Sequence, residues 1–270
     1  MPRPFADDDR PLSTLMLAGE AAVREAGAVA LACFRNRMDI ANKNTQGGFD
    51  PVTDADRRVE RVLRERLRVV DPTLGFVGEE FGAEGSANNY WITDPIDGTR
   101  AFMSGMLGWG ILLGLVLGGR AVGGIMYQPF TDEYFSAAGE GAFVARAGER
   151  LRLAASGTER LEDAVLYSTD PGPLAAGGML ARFTELAGRC RLQRWGGDCY
   201  AFAMLAAGCI DLVVEGPLQA YDIVPLIPII EAAGGVVTDL NGKTPLQGGA
   251  VVAAGSRALH AAALDVLVAK

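Results

Sequence analysis

The chain has 270 residues, a length that suits one large domain or two medium-sized ones. Its 49% apolar and 21% charged residues are ordinary for a folded globular protein and exclude disorder over most of the length. The net charge is −8 and no long basic run is present, so a nucleic-acid partner is not expected.

Secretory and membrane signals are also missing from the sequence. Residues 1–10 are acidic and lack an apolar core, which predicts a cytoplasmic protein without a secretory signal. The longest apolar stretch, residues 109–119, is too short to span a bilayer and is followed by Arg120. The four cysteines form no Cys-x-x-Cys pair and the chain has one histidine, so reduced thiols in the core are expected rather than a zinc site.

The first half of the chain is predicted to contain two helices followed by a meander of strands. Apolar residues recur at helical spacing over residues 13–34, and a second helix begins near Thr53 and ends at Asp71-Pro72. The polar residues 36–51 between these helices are predicted to form a loop. The strand-like runs that follow lie at residues 74–78, 90–93, 109–117, 121–127 and 133–137, with a tight turn at 118–120.

The second half of the chain alternates strand and helix patterns. Predicted strands lie at residues 164–168, 191–195, 210–215, 235–239 and 251–254. Predicted helices lie between and after them at residues 174–187, 198–207, 222–233 and 256–268. The pattern therefore indicates an α+β half over residues 1–153 and an α/β half over residues 154–270.

The most informative local segment is residues 91–99, which read WITDPIDGT. An apolar strand runs into Asp94, a proline ends the ladder, and Asp97 follows three residues later, so both carboxylates can turn to one point. Gly98 permits close backbone approach, and a helical turn beginning near Thr99 would aim its first N–H groups at an anion. An Asp-rich turn with local hydrogen bonds would explain the same residues without a ligand.

Further acidic residues stand at predicted strand or helix ends. Glu79-Glu80 follows a strand, Asp222 opens a helix, and Asp56 resembles part of a capping box. Each has a plain structural explanation when taken alone. Together they indicate a shared cation site, because two carboxylates about 4 Å apart repel by roughly 4 kcal/mol at an effective dielectric constant near 20. Ligands that are all oxygen favour Mg²⁺ or Mn²⁺ over zinc.

Four motifs in combination are similar to those of the inositol monophosphatase superfamily. They are GEE at residues 78–80, WITDPIDGT at 91–99, YD at 221–222 and AAGG at 232–235. The resemblance extends from about residue 12 to the end of the chain. It implies a layered αβαβα sandwich of the sugar-phosphatase type and a phosphate monoester hydrolase that uses two or three Mg²⁺ ions, with Mn²⁺ as a possible substitute. It also implies a homodimer that acts on a small phosphorylated metabolite.

The same resemblance implies roles for individual residues. The implied metal ligands are Glu79, Asp94, the carbonyl of Ile96, Asp97 and Asp222. The implied catalytic residues are Glu79, Thr99 and Asp56, which orient the attacking water, with Lys43 nearby on the 36–51 loop. The N–H groups of Gly98 and Thr99 would bind the phosphate.

Residues 194–200, RWGGDCY, resemble the histidinol-phosphatase branch of the superfamily. Histidinol phosphate carries an ammonium group, and the acidic side chains of Asp198 and Glu215 could pair with it, with Arg194 as a further substrate-binding candidate. A helix N-cap at Asp198 and an exposed strand end at Glu215 are the structural alternatives.

Three functions remain open on the sequence alone. The first is a histidinol-phosphate phosphatase, and the second is an inositol-1-monophosphatase or broad sugar-phosphate phosphatase. Tyr221, where many superfamily members carry Trp, bears on the choice of substrate and not on the metals. The third is a metal-binding regulatory protein that has lost turnover.

Overall fold

The computed structural model describes residues 12–36, 40–42, 51–139 and 141–269, with only the backbone given for 40–42 and 51–53. The chain begins with helix α1 (Leu12–Cys33), followed by strands β1 (Ile40–Asn42) and β2 (Pro51–Thr53) and helix α2 (Asp54–Val70). Strands β1 and β2 pair antiparallel. The prediction of a loop throughout 36–51 is therefore wrong at 40–42 and at Pro51, because strands of three residues are too short to show an alternating pattern in the sequence.

An eight-stranded sheet forms the first half of the molecule. The strands run in the spatial order β10-β9-β8-β7-β6-β5-β3-β4, with β3 parallel to β5 and the other neighbours antiparallel. Helix α3 separates β5 from β6. The bounds are β3 (Gly75–Gly78), β4 (Gly82–Glu84), β5 (Tyr90–Asp97), α3 (Thr99–Ser104), β6 (Gly110–Leu117), β7 (Arg120–Gln128), β8 (Glu133–Ala138), β9 (Ala142–Arg146) and β10 (Glu149–Arg152).

A five-stranded sheet forms the second half. Its elements are β11 (Val165–Ser168), α4 (Pro171–Ala176), α5 (Leu180–Arg189), β12 (Leu192–Trp195), α6 (Asp198–Ala206), β13 (Leu212–Leu218), α7 (Ala220–Ile223), α8 (Ile227–Ala232), β14 (Val236–Asp239), β15 (Gly249–Ala254) and α9 (Arg257–Leu267). The spatial order is β12-β11-β13-β15-β14, with β11 parallel to both of its neighbours and β15 antiparallel to both of its own.

The helices and sheets stack in alternating layers around three apolar clusters. Successive residues of a strand face opposite sides of a sheet, so Trp91 packs against α1 and α2 while Ile92 packs toward α6, α7 and α8 between the sheets. Phe183 and Leu259 belong to the third cluster, where α5 and α9 cover the outer face of the smaller sheet. The layered αβαβα sandwich is thereby confirmed.

Two predicted helices are each divided in the structure. The predicted helix 174–187 is split into α4 and α5 around Gly177 and Gly178, and Gly178 has the left-handed φ of 72°. The predicted helix 222–233 is split into α7 and α8, because Pro225 removes a backbone donor and Pro228 lies in the first turn of α8, where that loss has no cost.

The turn at 118–120, the cysteines and the lengths of the helices were also predicted from the sequence. Gly118 and Gly119 form the predicted tight turn, with Leu117 paired to Arg120. The cysteines are free thiols, but Cys209 is exposed, so the expectation of core positions is wrong for that residue. None of the helices in the described part of the chain has the length and apolarity needed to cross a membrane.

Candidate active site

The carboxyl end of β5 brings two acids together. Asp94 is buried with 5% exposure, and its Oδ1 accepts a hydrogen bond of 3.0 Å from the N–H of Ile96. The pairing of β5 with β6 shifts register between Asp94 and Asp97, because Pro95 has no N–H to give to the ladder. This irregularity turns both carboxylates toward the same side of the sheet end.

The turn after β5 is tightly packed. Gly98 has φ of 83°, and a Cβ at this position would lie 2.6 Å from the carbonyl oxygen of Gly108, so glycine is required on both counts. Thr99 begins α3, as expected, and its hydroxyl donates to the carbonyl of Ile96 at 3.1 Å. The hydroxyl therefore has a fixed orientation, with its lone pairs left for another donor.

The second half of the chain adds Asp222 to this pair. Asp222 lies in α7, where its Oδ2 also accepts a 2.8 Å hydrogen bond from the N–H of Gln219 in a capping box. One carboxylate oxygen from each of Asp94, Asp97 and Asp222 lies within 4.8 Å of the other two. Capping and clustering are thus compatible roles for this residue.

Glu79 and Asp56 complete the acidic surroundings of Asp94. Burial raises the pKa of Asp94 well above its ordinary value, and the charges of Glu79, Asp97, Asp222 and Asp56 raise it further. Burial also raises the pKa of Asp97, with the charge of Asp222 as the next cause. Acids from four separate segments therefore act electrostatically on one another.

The two neighbouring glutamates after β3 have different surroundings. The charge of Glu79 acts on both Asp94 and Asp97. The carboxylate of Glu80 instead lies 3.5 Å from the guanidinium of Arg57, with only 2% of its side chain exposed. The charge of Glu79 therefore acts on the acidic cluster, whereas Glu80 is paired with an arginine.

This cluster fits a hard divalent cation. Its donors are all oxygen, they converge from separate elements, and the pKa values of Asp94 and Asp97 are raised first by burial and then by the charges of the neighbouring acids. A buried carboxylate either takes up a proton and becomes neutral or stays ionised beside a cation. Mg²⁺ and Mn²⁺ take such ligands, whereas zinc sites in proteins favour nitrogen and sulfur.

A cavity of about 210 Å³ opens beside the cluster. Besides the three clustered aspartates, it is lined by Gly98, Thr169, Pro173, Asp198, Cys199, Phe202, Glu215, Gly216, Pro217 and Leu218. The lining joins the end of the larger sheet to the smaller sheet and α6, so both halves of the chain contribute to it.

Asp198 stands at the start of α6 without capping it. The N-cap position is Gly197, and no side chain of the residues that the structure describes caps this helix. Burial raises the pKa of Asp198 to about 6, although the charge of Arg100 opposes the shift. The N-cap alternative for Asp198 is therefore wrong, and the residue lines the cavity.

Glu215 is buried within β13 and is not an exposed strand end, so that structural alternative is wrong as well. Its Oε1 accepts hydrogen bonds from the N–H and the hydroxyl of Thr169, at 2.6 and 2.7 Å. Burial nevertheless raises the pKa of Glu215 to about 7. Thr169 was not anticipated from the sequence, although the polar Ser-Thr pair where β11 ends was the available signal.

The position of α6 is tied to the cluster and to the larger sheet. The N–H of Cys199 donates to Oδ1 of Asp97 at 3.3 Å. The hydroxyl of the next residue, Tyr200, is hydrogen-bonded to the carboxylate of Glu133, which also receives a 3.2 Å contact from Arg146. These contacts fix the start of α6, and with it Asp198, relative to the acids.

Of the predicted site residues, Lys43 lies outside the part of the chain that the structure describes. Arg194 is exposed on the edge strand β12 and is absent from the cavity lining formed by residues that the structure describes.

Comparisons with known proteins agree with a metal-dependent phosphatase site of this kind. The profile of the inositol monophosphatase family matches residues 12–269. A histidinol-phosphatase of Mycobacterium tuberculosis is 34% identical to this chain, over 78% of the chain and 82% of the relative. An inositol-1-monophosphatase of Rhizobium meliloti is 36% identical, over 77% of the chain and 79% of the relative. The structure of an inositol monophosphatase from Zymomonas mobilis superposes with a TM-score of 0.81 at 34% identity, covering 96% of this chain and 99% of that one.

The fold and the acidic site define a metal-dependent hydrolase of phosphate monoesters. The chain belongs to the inositol monophosphatase family. Its relatives differ in the substrates for which they are named, so family membership leaves the substrate of this chain open.

Proposed function

We propose that this chain is a Mg²⁺-dependent histidinol-phosphate phosphatase. The observation that carries the proposal is the acidic character of the cavity beyond the aspartate cluster, where Glu215 is buried, Asp198 is half-buried and both have raised pKa values. A substrate with an ammonium group would relieve the repulsion among these acids, whereas a neutral polyol would not. The 34% identity to a histidinol-phosphatase supports the same choice.

The residues proposed to hold the cations are those predicted from the sequence. They are the carboxylates of Glu79, Asp94, Asp97 and Asp222 and the carbonyl of Ile96. A bound divalent cation would lower the pKa of a water molecule and neutralise charge on the phosphate oxygens.

The chain's own groups are proposed to orient the reactants. The hydroxyl of Thr99 has its hydrogen donated to Ile96, so its lone pairs would accept a hydrogen bond from the attacking water. Glu79 would accept the proton of that water, with Asp56 helping to orient it. The N–H groups of Gly98 and Thr99 would donate to the phosphate oxygens as negative charge develops. Lys43 stays a predicted contributor to the same step.

The second candidate is an inositol-1-monophosphatase. The 36% identity to an enzyme of that name favours it. The two candidates share the metal site and differ only in the groups that contact the alcohol part of the substrate. They are therefore separated by substrate preference and by the response of that preference to a change at Asp198.

The test is phosphate release from histidinol phosphate and from inositol 1-phosphate, each with and without Mg²⁺. We expect turnover to require Mg²⁺ and kcat/KM to be at least about tenfold higher for histidinol phosphate, which corresponds to about 1.4 kcal/mol. Asp198→Asn should lower kcat/KM for histidinol phosphate by about tenfold, because the charge that pairs with the ammonium group is lost, and should change a generic aryl phosphate much less. Asp265→Asn, an exposed change on α9, is the matched control.

Equal losses on all three substrates in Asp198→Asn would remove Asp198 from substrate recognition. A preference for inositol 1-phosphate would favour the second candidate. The homodimer implied by the family resemblance is part of the proposal, and light scattering on the eluted protein would measure it: a mass near twice the 28.4 kDa of one chain is expected.

A further inference from the structure

Helix α2 carries a buried glutamate that the proposed reaction does not use. Glu60 is 0% exposed. Its carboxylate accepts hydrogen bonds from the N–H of Glu80 at 2.7 Å and of Phe81 at 3.3 Å. The guanidinium of Arg64, one turn further along the helix, lies 2.8 Å from the same carboxylate.

These contacts fall on the turn that carries Glu79. Strands β3 and β4 form a hairpin in which Gly78 pairs with Gly82, and Glu79 begins the turn between them. A Cβ at position 78 would lie 2.1 Å from Oε1 of Glu60, so the strand end is packed directly against that carboxylate. Glu60 therefore touches the residues immediately before and after Glu79.

Arg64 fixes the other side of the hairpin. Its side chain is 12% exposed, and it contacts the carboxylate of Glu84 in β4 at 3.1 Å. It also donates to the carbonyl of Gly82 and lies over the ring of Phe76, with 4.5 Å from the guanidinium carbon to the ring centre. The Glu60–Arg64 pair thus joins α2 to both strands of the hairpin.

We propose that Glu60 is a positioning residue that holds the Glu79 turn against the acidic cluster and so sets the affinity of the cluster for its divalent cation. The inference rests on the proposed role of Glu79 as a cation ligand. The role needs a carboxylate, because both oxygens of Glu60 accept hydrogen bonds and the negative charge pairs with Arg64. A glutamine has one accepting oxygen, and its NH₂ group would face a donor.

The test is calorimetric titration of Mg²⁺ into the substrate-free protein, for wild type, Glu60→Gln, Glu79→Gln and the double variant. We expect Glu60→Gln to weaken Mg²⁺ binding by about tenfold, the lower end of the range for groups that orient metal ligands. In the Glu79→Gln background the same change should weaken binding by less than about twofold, because the ligand that Glu60 positions is already lost. Glu65→Gln, an exposed change on the same helix, should leave the affinity unchanged.

The outcomes separate this inference from the proposed function. If Glu79→Gln leaves Mg²⁺ binding unchanged, the proposed ligand role of Glu79 fails, and the inference with it. If Glu79→Gln weakens binding but Glu60→Gln does not, or does so equally in both backgrounds, only the positioning role fails. Glu60→Asp, which keeps the charge but shortens the side chain, replaces Glu60→Gln if that variant does not fold. If neither folds, Glu60 is required for the fold as a whole and the positioning role is rejected.

Discussion

Asp97 shows how a single residue can favour function at the expense of stability. Its pKa is raised by burial and by the neighbouring charges of Asp222 and Asp198, so the ionised side chain destabilises the metal-free fold. Because an uncharged residue of the same shape would relieve that repulsion, the cost of the cluster can be measured separately from its benefit.

Asp97→Asn is expected to lower turnover by roughly 100-fold or more, since even groups that only orient metal ligands contribute up to about that factor. In the presence of a chelator at pH 8, its free energy of unfolding should exceed that of the wild type. Phosphate release and urea denaturation measure the two effects. Near-normal turnover, or a loss of stability in the chelated protein, would remove Asp97 from the proposed cation site.

Glu215 gives a pH dependence with a definite sign. Its pKa is about 7 in the folded protein against an ordinary value of 4.5, so the folded state holds the proton more tightly. Ionising Glu215 therefore lowers the free energy of unfolding. This destabilisation is absent below pH 4.5, grows between pH 4.5 and 7, and is complete above pH 7, where it is of the order of 3 kcal/mol.

Glu215→Gln carries no such penalty. Relative to the wild type, the variant should therefore gain stability as the pH rises from 5 to 8, whatever its loss from the weakened bonds to Thr169. Urea denaturation of both proteins in chelator at the two pH values gives the difference. A stability difference that does not change with pH would show that Glu215 does not titrate in this interval.

Some residues of the site could be predicted from the sequence and others could not. The spacing of Asp94, Asp97 and Asp222 at element ends was sufficient to predict that they meet. The same spacing did not distinguish Glu79 from Glu80, and only the family resemblance singled out Glu79, because the surroundings of the two side chains depend on how the β3–β4 hairpin lies against Arg57. Glu60 was missed, although an acid four residues after Asp56, on the buried face of α2, was a usable signal.

At the scale of elements, the turn between β5 and α3 is the least replaceable local structure of the site. Gly98 and Gly119 both have left-handed φ values, 83° and 72°. A Cβ at Gly98 would meet backbone atoms, whereas a Cβ at Gly119 would have no atom of the described residues within 4 Å. Substituting alanine at each of these two glycines therefore distinguishes the cost of a left-handed backbone from the cost of a steric clash.

Gly119→Ala should cost about 1 kcal/mol of stability, the strain of an L-residue in this region, and leave turnover unchanged. Gly98→Ala should cost roughly 3 kcal/mol or more and lower turnover about 100-fold, because displacing the turn by about 1 Å moves Asp97 and Thr99 from their positions. Urea denaturation and phosphate release test both variants. Equal effects of the two changes would show that the contact with Gly108 does not restrain the turn.

The elements that the sequence predicted were those with strong periodicity. Helices α1 and α2 and strand β6 follow their apolar patterns closely. Strand β4 was missed because its Gly-Ala-Glu sequence is exposed throughout and pairs only as the return strand of a hairpin. The split between α7 and α8 shows that two prolines close together can end a helix even inside a continuous apolar run.

At the scale of the whole molecule, the two halves depend on each other. The apolar cluster between the two sheets contains Ile92 and Phe135 from residues 1–153. It also contains Phe202 and Val213 from residues 154–270. The acidic cluster likewise needs Asp222 from the second half. We propose that the division at 153 separates two halves of one cooperative unit.

A shared core predicts one unfolding transition. Tryptophan fluorescence, which reports on Trp91 and Trp109 in the first half and Trp195 in the second, should change at the same urea concentration as circular dichroism. Two separated transitions would show that the halves unfold independently.

We propose that carboxylates from distant segments of the chain converge to bind a divalent cation. An anomalous difference map from crystals grown with Mn²⁺ would locate that cation. We expect a peak within coordination distance of Asp94, Asp97 and Asp222. A map with well-ordered side chains and no peak among these three residues would show that they do not form a cation site.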